Sequence, residues 1–93
     1  MIHFLTHSTT DTVGVAVTES VKRGQALTGR VMDTGETITI VALDDIPLGH
    51  KIAVADIEEK GTVVKYGHDI GRAVAPIRKG QHVHVHNLRT KRW

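Results

Sequence analysis

There is no cysteine among the 93 residues. A disulfide scaffold, thiolate-bound zinc and a cysteine nucleophile are therefore excluded. Aromatics are nearly as scarce: Phe4, Tyr66 and Trp93 are the only ones, too few for the stacking platform that holds single-stranded nucleic acid. No apolar run is long enough to span a membrane, and the opening Met-Ile-His-Phe-Leu-Thr-His lacks the apolar stretch of a signal peptide. A soluble, cytoplasmic protein without membrane contact is expected. Gly67 and Gly71 do not form a phosphate loop between a strand and a helix, and no serine stands beside a histidine in a nucleophile setting.

A chain of this size buries roughly 64 % of its unfolded surface, enough for one modest core and too little for two domains with a cleft between them. The formal net charge is +2, and much of the imbalance sits in a basic tail, residues 89–93, with Arg89, Lys91 and Arg92. Such a tail is a solvated end or a docking arm; with so few aromatics, nucleic acid is not an expected partner. About a third of the chain is β-branched (12 Val, 8 Ile and 11 Thr). Two heavy atoms on Cβ suit a pleated strand better than a helix, so the fold is expected to be mainly β.

Alternation and turn residues divide the chain into seven or eight short strands, over residues 2–6, 13–17, 27–32, 37–43, 51–55, 62–66, 70–75 and 82–88. Asp33-Thr34-Gly35-Glu36 reads as a hairpin turn, and residues 56–60 as a helical turn. A further pattern recurs: an aliphatic residue, a glycine three positions on, then another aliphatic. It occurs as Val21, Gly24 and Leu27, as Ile46, Gly49 and Ile52, and as Ile77, Gly80 and Val83. A stretched version runs from Ile57 through Gly61 to Val63. The glycine permits a positive φ in a tight turn, and the flanking aliphatics staple that turn to the core.

Seven histidines is a high count, and three fall in His82-Val83-His84-Val85-His86-Asn87. On a strand, residues two apart share a face, so the imidazoles would line one side with Val83 and Val85 on the other. A straight strand sets His82 and His86 ~13 Å apart, too far to share a metal. An adjacent pair, ~7 Å apart at Cα, needs a third ligand such as His50 or His68. The run is thus a polar face, an incomplete metal site, or a face completing another chain's metal site, and no metal ligands are assigned to this chain. Two more clusters carry polar chemistry. His50 and Lys51 follow the turn Ile46-Pro47-Leu48-Gly49, and Lys65-Tyr66-Gly67-His68 ends a strand. Each offers cationic or proton-donating groups for a carboxylate or sulfonate.

Taken in order, Ile46-Pro-x-Gly-His-Lys-Ile-Ala53, Gly61-x-Val-Val-Lys-Tyr-Gly67, Ile70-Gly71 and Ile77-x-x-Gly-x-His-Val-His-Val-His-Asn87 resemble the SAF domain of the altronate and galactarate dehydratase family. The likeness runs from about residue 11 to residue 87. It implies a β-clip fold, related to type III antifreeze proteins, with a single compact SAF domain over residues 1–88. In that family the domain accompanies a much larger catalytic region that eliminates water from sugar acids with iron or another divalent metal. Because the chain stops at Trp93, the resemblance implies a separately encoded small subunit. The Lys-Arg-Trp ending is similar to members of the family that break a C–S bond where the others break C–O.

A small anionic hydroxy acid is then the substrate, a large catalytic lyase subunit the partner, and the metal belongs to that subunit. Carried over by the resemblance, the substrate or interface residues are His50, Lys51, Lys65, Tyr66, His84, His86 and Asn87. The alternatives are a small subunit of a sugar-acid dehydratase and a stand-alone module that binds sugar acids without catalysis. An uncovered docking face could also make the isolated domain a homo-oligomer.

Overall fold

In the computed structural model, which describes residues 1–90, the β-branched segments form nine short strands: β1 (Phe4–Thr6), β2 (Val13–Ala16), β3 (Ala26–Val31), β4 (Thr37–Val41), β5 (Lys51–Ala53), β6 (Thr62–Lys65), β7 (His68–Ala73), β8 (His82–Val83) and β9 (Leu88–Arg89). Six of them make one sheet in the order β4-β3-β1-β2-β5-β8, and the others a second sheet in the order β6-β7-β9. All pairings are antiparallel except β1 with β3. No helix forms among the described residues, so the mainly β expectation stands.

The recurrent turn organises the whole molecule. In each of its copies the fifth residue donates its N–H to the carbonyl of the second: Gln25 to Lys22 at 3.0 Å, His50 to Pro47 at 3.0 Å, Gly61 to Glu58 at 2.8 Å and Gln81 to Arg78 at 3.0 Å. The fourth residue must take a positive φ, and Gly24, Gly49 and Gly80 do so at 87°, 83° and 97°. In the remaining copy that position is Lys60, at φ 67°. The copy beginning at Ile57 is therefore not stretched. It keeps the common spacing to Val63, with a lysine where the others have glycine. Residues 56–60 are this turn and not a helical one.

The copies pair. Val21 bridges Ile46, and Ile57 bridges Ile77, both antiparallel. Asp45 accepts the N–H of Arg23 at 2.8 Å, and Asp56 accepts that of Lys79 at 2.8 Å, so each pair is clasped by an aspartate that precedes one of its turns. The first pair sends Val21, Leu27, Ile46 and Ile52 into one core cluster with Phe4. The second sends Ile57, Val63, Ile77 and Val83 into another. Full burial of each such side chain is worth about 1.5–3 kcal/mol, so the turns anchor both halves. β2 and β5 serve both clusters, with Ala16 and Ile52 facing one and Val13 and Ala53 the other.

The expected strand over residues 82–88 does not exist as one element. β8 ends at Val83, a tight turn follows, and Leu88 begins β9. Asn87 causes the break. Its Oδ1 accepts the His84 N–H at 2.9 Å and its Nδ2 donates to the His82 carbonyl at 2.8 Å, satisfying in one side chain the groups a ladder would use. Val85 therefore does not join Val83 in the core; it is 79 % exposed. Arg89 pairs with Arg72 as the last residue of β9. Residues 91–93 of the basic tail lie outside the described residues.

Candidate functional site

Strand register brings the histidines together. Lys51 pairs with Val83 and Ile52 with His82, and one further step sets His50 opposite His84. The two rings stack with centroids 4.3 Å apart. His82 lies beside them, 5.0 Å from the His50 ring and 5.6 Å from the His84 ring. His50 Nδ1 and His82 Nε2 are 2.8 Å apart, so one ring donates an N–H to the other. The turn after β8 folds His86 back until its ring is 5.3 Å from that of His82. The wide separation expected of a straight strand is thus corrected, and of the two outside histidines considered as a third ligand, His50 is the one that joins. His68 stands exposed on β7 in the other sheet.

Among the described residues, His50, His82 and His84 offer one ligand nitrogen each within 4.8 Å of one another, the one group of three placed closely enough to hold a metal ion. Burial lowers the His82 imidazole from its ordinary value, reinforced by His50, His86 and His84 and opposed by Asp44. His84 is lowered in the same way by lost hydration, then by His50, Lys51 and His86. These rings favour the neutral form, as proton acceptors and metal ligands must.

Lys51 and Lys65 extend the site as a cationic flank. Both are half-buried, and burial, with Lys65 beside it, lowers the Lys51 ammonium from its usual value. The Lys65 ammonium lies 5.3 Å from the centroid of the Tyr66 ring, which makes a T-shaped contact with the His7 ring, centroids 5.5 Å apart. Tyr66 itself is half exposed and sits in the β6–β7 turn at φ 54°. The seven residues carried over by resemblance thus fall into a histidine group (His50, His84 and His86, braced by Asn87) and a lysine–tyrosine group (Lys51, Lys65, Tyr66). The position of Lys51 on β5, directly after His50, links the two.

Three residues that shape the site are not among the seven carried over by the resemblance. His82 is the hub of the imidazole group. Asp44 accepts the His82 backbone N–H at 2.9 Å. Asp11, 4 % exposed, accepts the N–H groups of Gly67 at 2.8 Å and of Tyr66 and His7 at 3.0 Å each. The only advance signal for His82 was the alternating run itself. Asp11 had none, lying in the polar stretch Ser8-Thr9-Thr10-Asp11-Thr12.

An all-β domain built from paired turns, with an imidazole group at β5 and β8 and a lysine flank reaching to β6 of the second sheet, is the class of protein defined so far. Residues 2–91 match the altronate/galactarate dehydratase SAF domain. The chain belongs to that family, and its curled all-β build is a β-clip. It is 54 % identical over 92 residues to the (2R)-sulfolactate sulfo-lyase subunit alpha of Chromohalobacter salexigens, covering 99 % of this chain and 98 % of that one. The subunit of the same name from Paracoccus pantotrophus is 48 % identical over 54 residues, 58 % of this chain and 81 % of the relative. The altronate dehydratase of Bacillus subtilis is 49 % identical over 53 residues, 57 % of this chain but 11 % of that enzyme.

Proposed function

We propose that this chain is the small subunit of a two-subunit, metal-dependent lyase that converts (2R)-sulfolactate to pyruvate and sulfite in the cytoplasm. The observation that carries this reading is the 54 % identity with a sulfo-lyase subunit alpha along 98 % of that relative's length. The partner is a large catalytic subunit, and without it the small chain is inactive.

The arrangement of charges supports the same reading. Sulfolactate carries a carboxylate and a sulfonate, and Lys51 and Lys65 offer two ammonium groups on one flank of the site. At about 4 Å an exposed ion pair is worth ~1 kcal/mol and a partly desolvated one several times that, so covering this face by a larger chain strengthens the hold on the substrate. Iron or another divalent metal, placed with the large subunit, would polarise the carboxylate and 2-hydroxyl so that the neighbouring C–H becomes acidic. Tyr66 and His86, both exposed, face the partner or the substrate. Asn87 holds the turn that presents His84 and His86.

Co-expression with a large subunit tests the proposal. Sulfite and pyruvate should appear from sulfolactate with the purified pair and iron, and from neither chain alone. The likeness to altronate dehydratase over 53 residues favours a second reading, the small subunit of a sugar-acid dehydratase. Keto-acid formation from altronate with no sulfite from sulfolactate would select it. A chain that binds no large subunit but holds sugar acids tightly would be a binding module.

A further inference from the structure

We infer that His50, His82 and His84 form a metal site carried by this chain itself, suited to a late first-row divalent ion. The inference does not depend on the lyase reading, and it holds whether or not a larger chain brings a metal of its own.

The ligand set sets the class of ion. Three imidazoles with no carboxylate among them suit Zn²⁺, Co²⁺, Ni²⁺ or Fe²⁺ and not Mg²⁺ or Ca²⁺, which require hard oxygen donors. Metal–nitrogen bonds of about 2.0–2.1 Å at tetrahedral angles place the nitrogens about 3.3 Å from one another. The three ligand nitrogens already lie within 4.8 Å, with the His50–His82 pair at 2.8 Å. Small χ rotations that open the close pair and draw in His84 complete the geometry. The ion would replace the single N–H now shared between His50 and His82.

The backbone behind each ligand is already held. The His50 carbonyl accepts the Ala16 N–H at 2.9 Å, tying it to β2. The His82 N–H donates to Asp44 and its carbonyl accepts from Asn87. The His84 N–H donates to the Asn87 side chain. Binding therefore orders side chains and little backbone, which keeps its entropic cost low. Three protein ligands leave a coordination position open, the pattern of sites that take water or an oxygen-bearing ligand in the fourth place.

The test uses the full-length chain alone, titrated with Co²⁺ while the visible ligand-field absorption is followed. The expected result is a band that saturates at one equivalent, is abolished by Zn²⁺ and is untouched by excess Mg²⁺. His82→Ala and His84→Ala should each weaken binding by at least the roughly tenfold to hundredfold that even an outer-shell partner is worth. His68→Ala should leave it unchanged. Because a variant can misfold, the imidazole ¹⁵N resonances of the unaltered chain are read as well. Zn²⁺ should shift one nitrogen in each of His50, His82 and His84 and none in His68. Absence of the Co²⁺ band at millimolar metal, or ¹⁵N shifts confined to other histidines, overturns the proposal.

Discussion

The carboxylate of Asp11 accepts the backbone N–H of Gly67 at 2.8 Å, joining residues 56 positions apart. The same side chain takes the Tyr66 and His7 N–H groups at 3.0 Å each and the Thr6 hydroxyl at 3.3 Å. One buried acid thus ties the β6–β7 turn, with its two positive-φ residues, to the loop between β1 and β2. Tyr66 reaches the site because Asp11 holds its backbone. Asp11→Asn retains the shape but puts an amide N–H₂ against backbone donors. A loss of about 1–3 kcal/mol in urea unfolding is expected, the scale for leaving buried partners unpaired. A change below about 0.5 kcal/mol, the size of an ordinary surface substitution, would show that the clasp is dispensable.

The same group governs acid stability. Burial would raise the Asp11 carboxyl, but the N–H groups of Gly67, His7, Tyr66 and Ser8 outweigh it, and the carboxyl is held below its usual 3.8. A carboxyl depressed in the folded state contributes stability that is fully present above its unfolded value. That stability is lost as pH falls through the folded one. Melting temperatures should therefore fall more steeply with acid below about pH 4 in the unaltered chain than in Asp11→Asn. Parallel slopes for the two proteins would assign acid lability to other groups.

How far the sequence foretold this molecule depends on which interactions are local. The aliphatic–glycine–aliphatic turns were legible because their φ requirement and their staples lie within seven residues, and every aliphatic named in them is buried. The fourth copy was misread because Lys60 occupies the glycine position, so identity pointed to Gly61 while geometry chose the residue before it. The run from His82 was misread because its alternation continues through a turn that only the Asn87 side chain betrays. The joining of His50 to His82 rests on pairing of β5 with β8, across 32 positions, and no local pattern encodes it.

Lys60 provides a direct test of the turn. A left-handed backbone sets Cβ of an L-residue against the following carbonyl at roughly 1–2 kcal/mol, a strain that glycine escapes. Lys60→Gly should therefore raise stability, by about 0.5–1 kcal/mol once the greater freedom of glycine in the unfolded chain is offset. Gly49→Ala at the equivalent position should cost about 1–2 kcal/mol for the same reason. Urea midpoints moving in opposite directions would support the equivalence of the copies. If Lys60→Gly destabilised the protein, some contact of the lysine side chain must outweigh the backbone strain.

Asn87 separates the two halves of the histidine turn. Its Oδ1 accepts from the His84 N–H and its Nδ2 donates to the His82 carbonyl, at 2.9 and 2.8 Å. Asn87→Asp keeps the acceptor and loses the donor, setting a carboxylate oxygen against a carbonyl. Asn87→Ala loses both. If the turn depends on the acceptor, Asp should preserve slow exchange of the His84 amide while Ala abolishes it. If the donor matters more, the aspartate variant should be the worse of the two, because repulsion is added to a lost bond. The donor is expected to dominate, since the His82 carbonyl lies within β8, whereas the His84 N–H begins a turn that the His84 carbonyl already closes through the Leu88 N–H at 2.9 Å. Amide exchange at residues 82–88 in the two variants decides between these outcomes, and equal protection in both would remove Asn87 from any role in positioning His84.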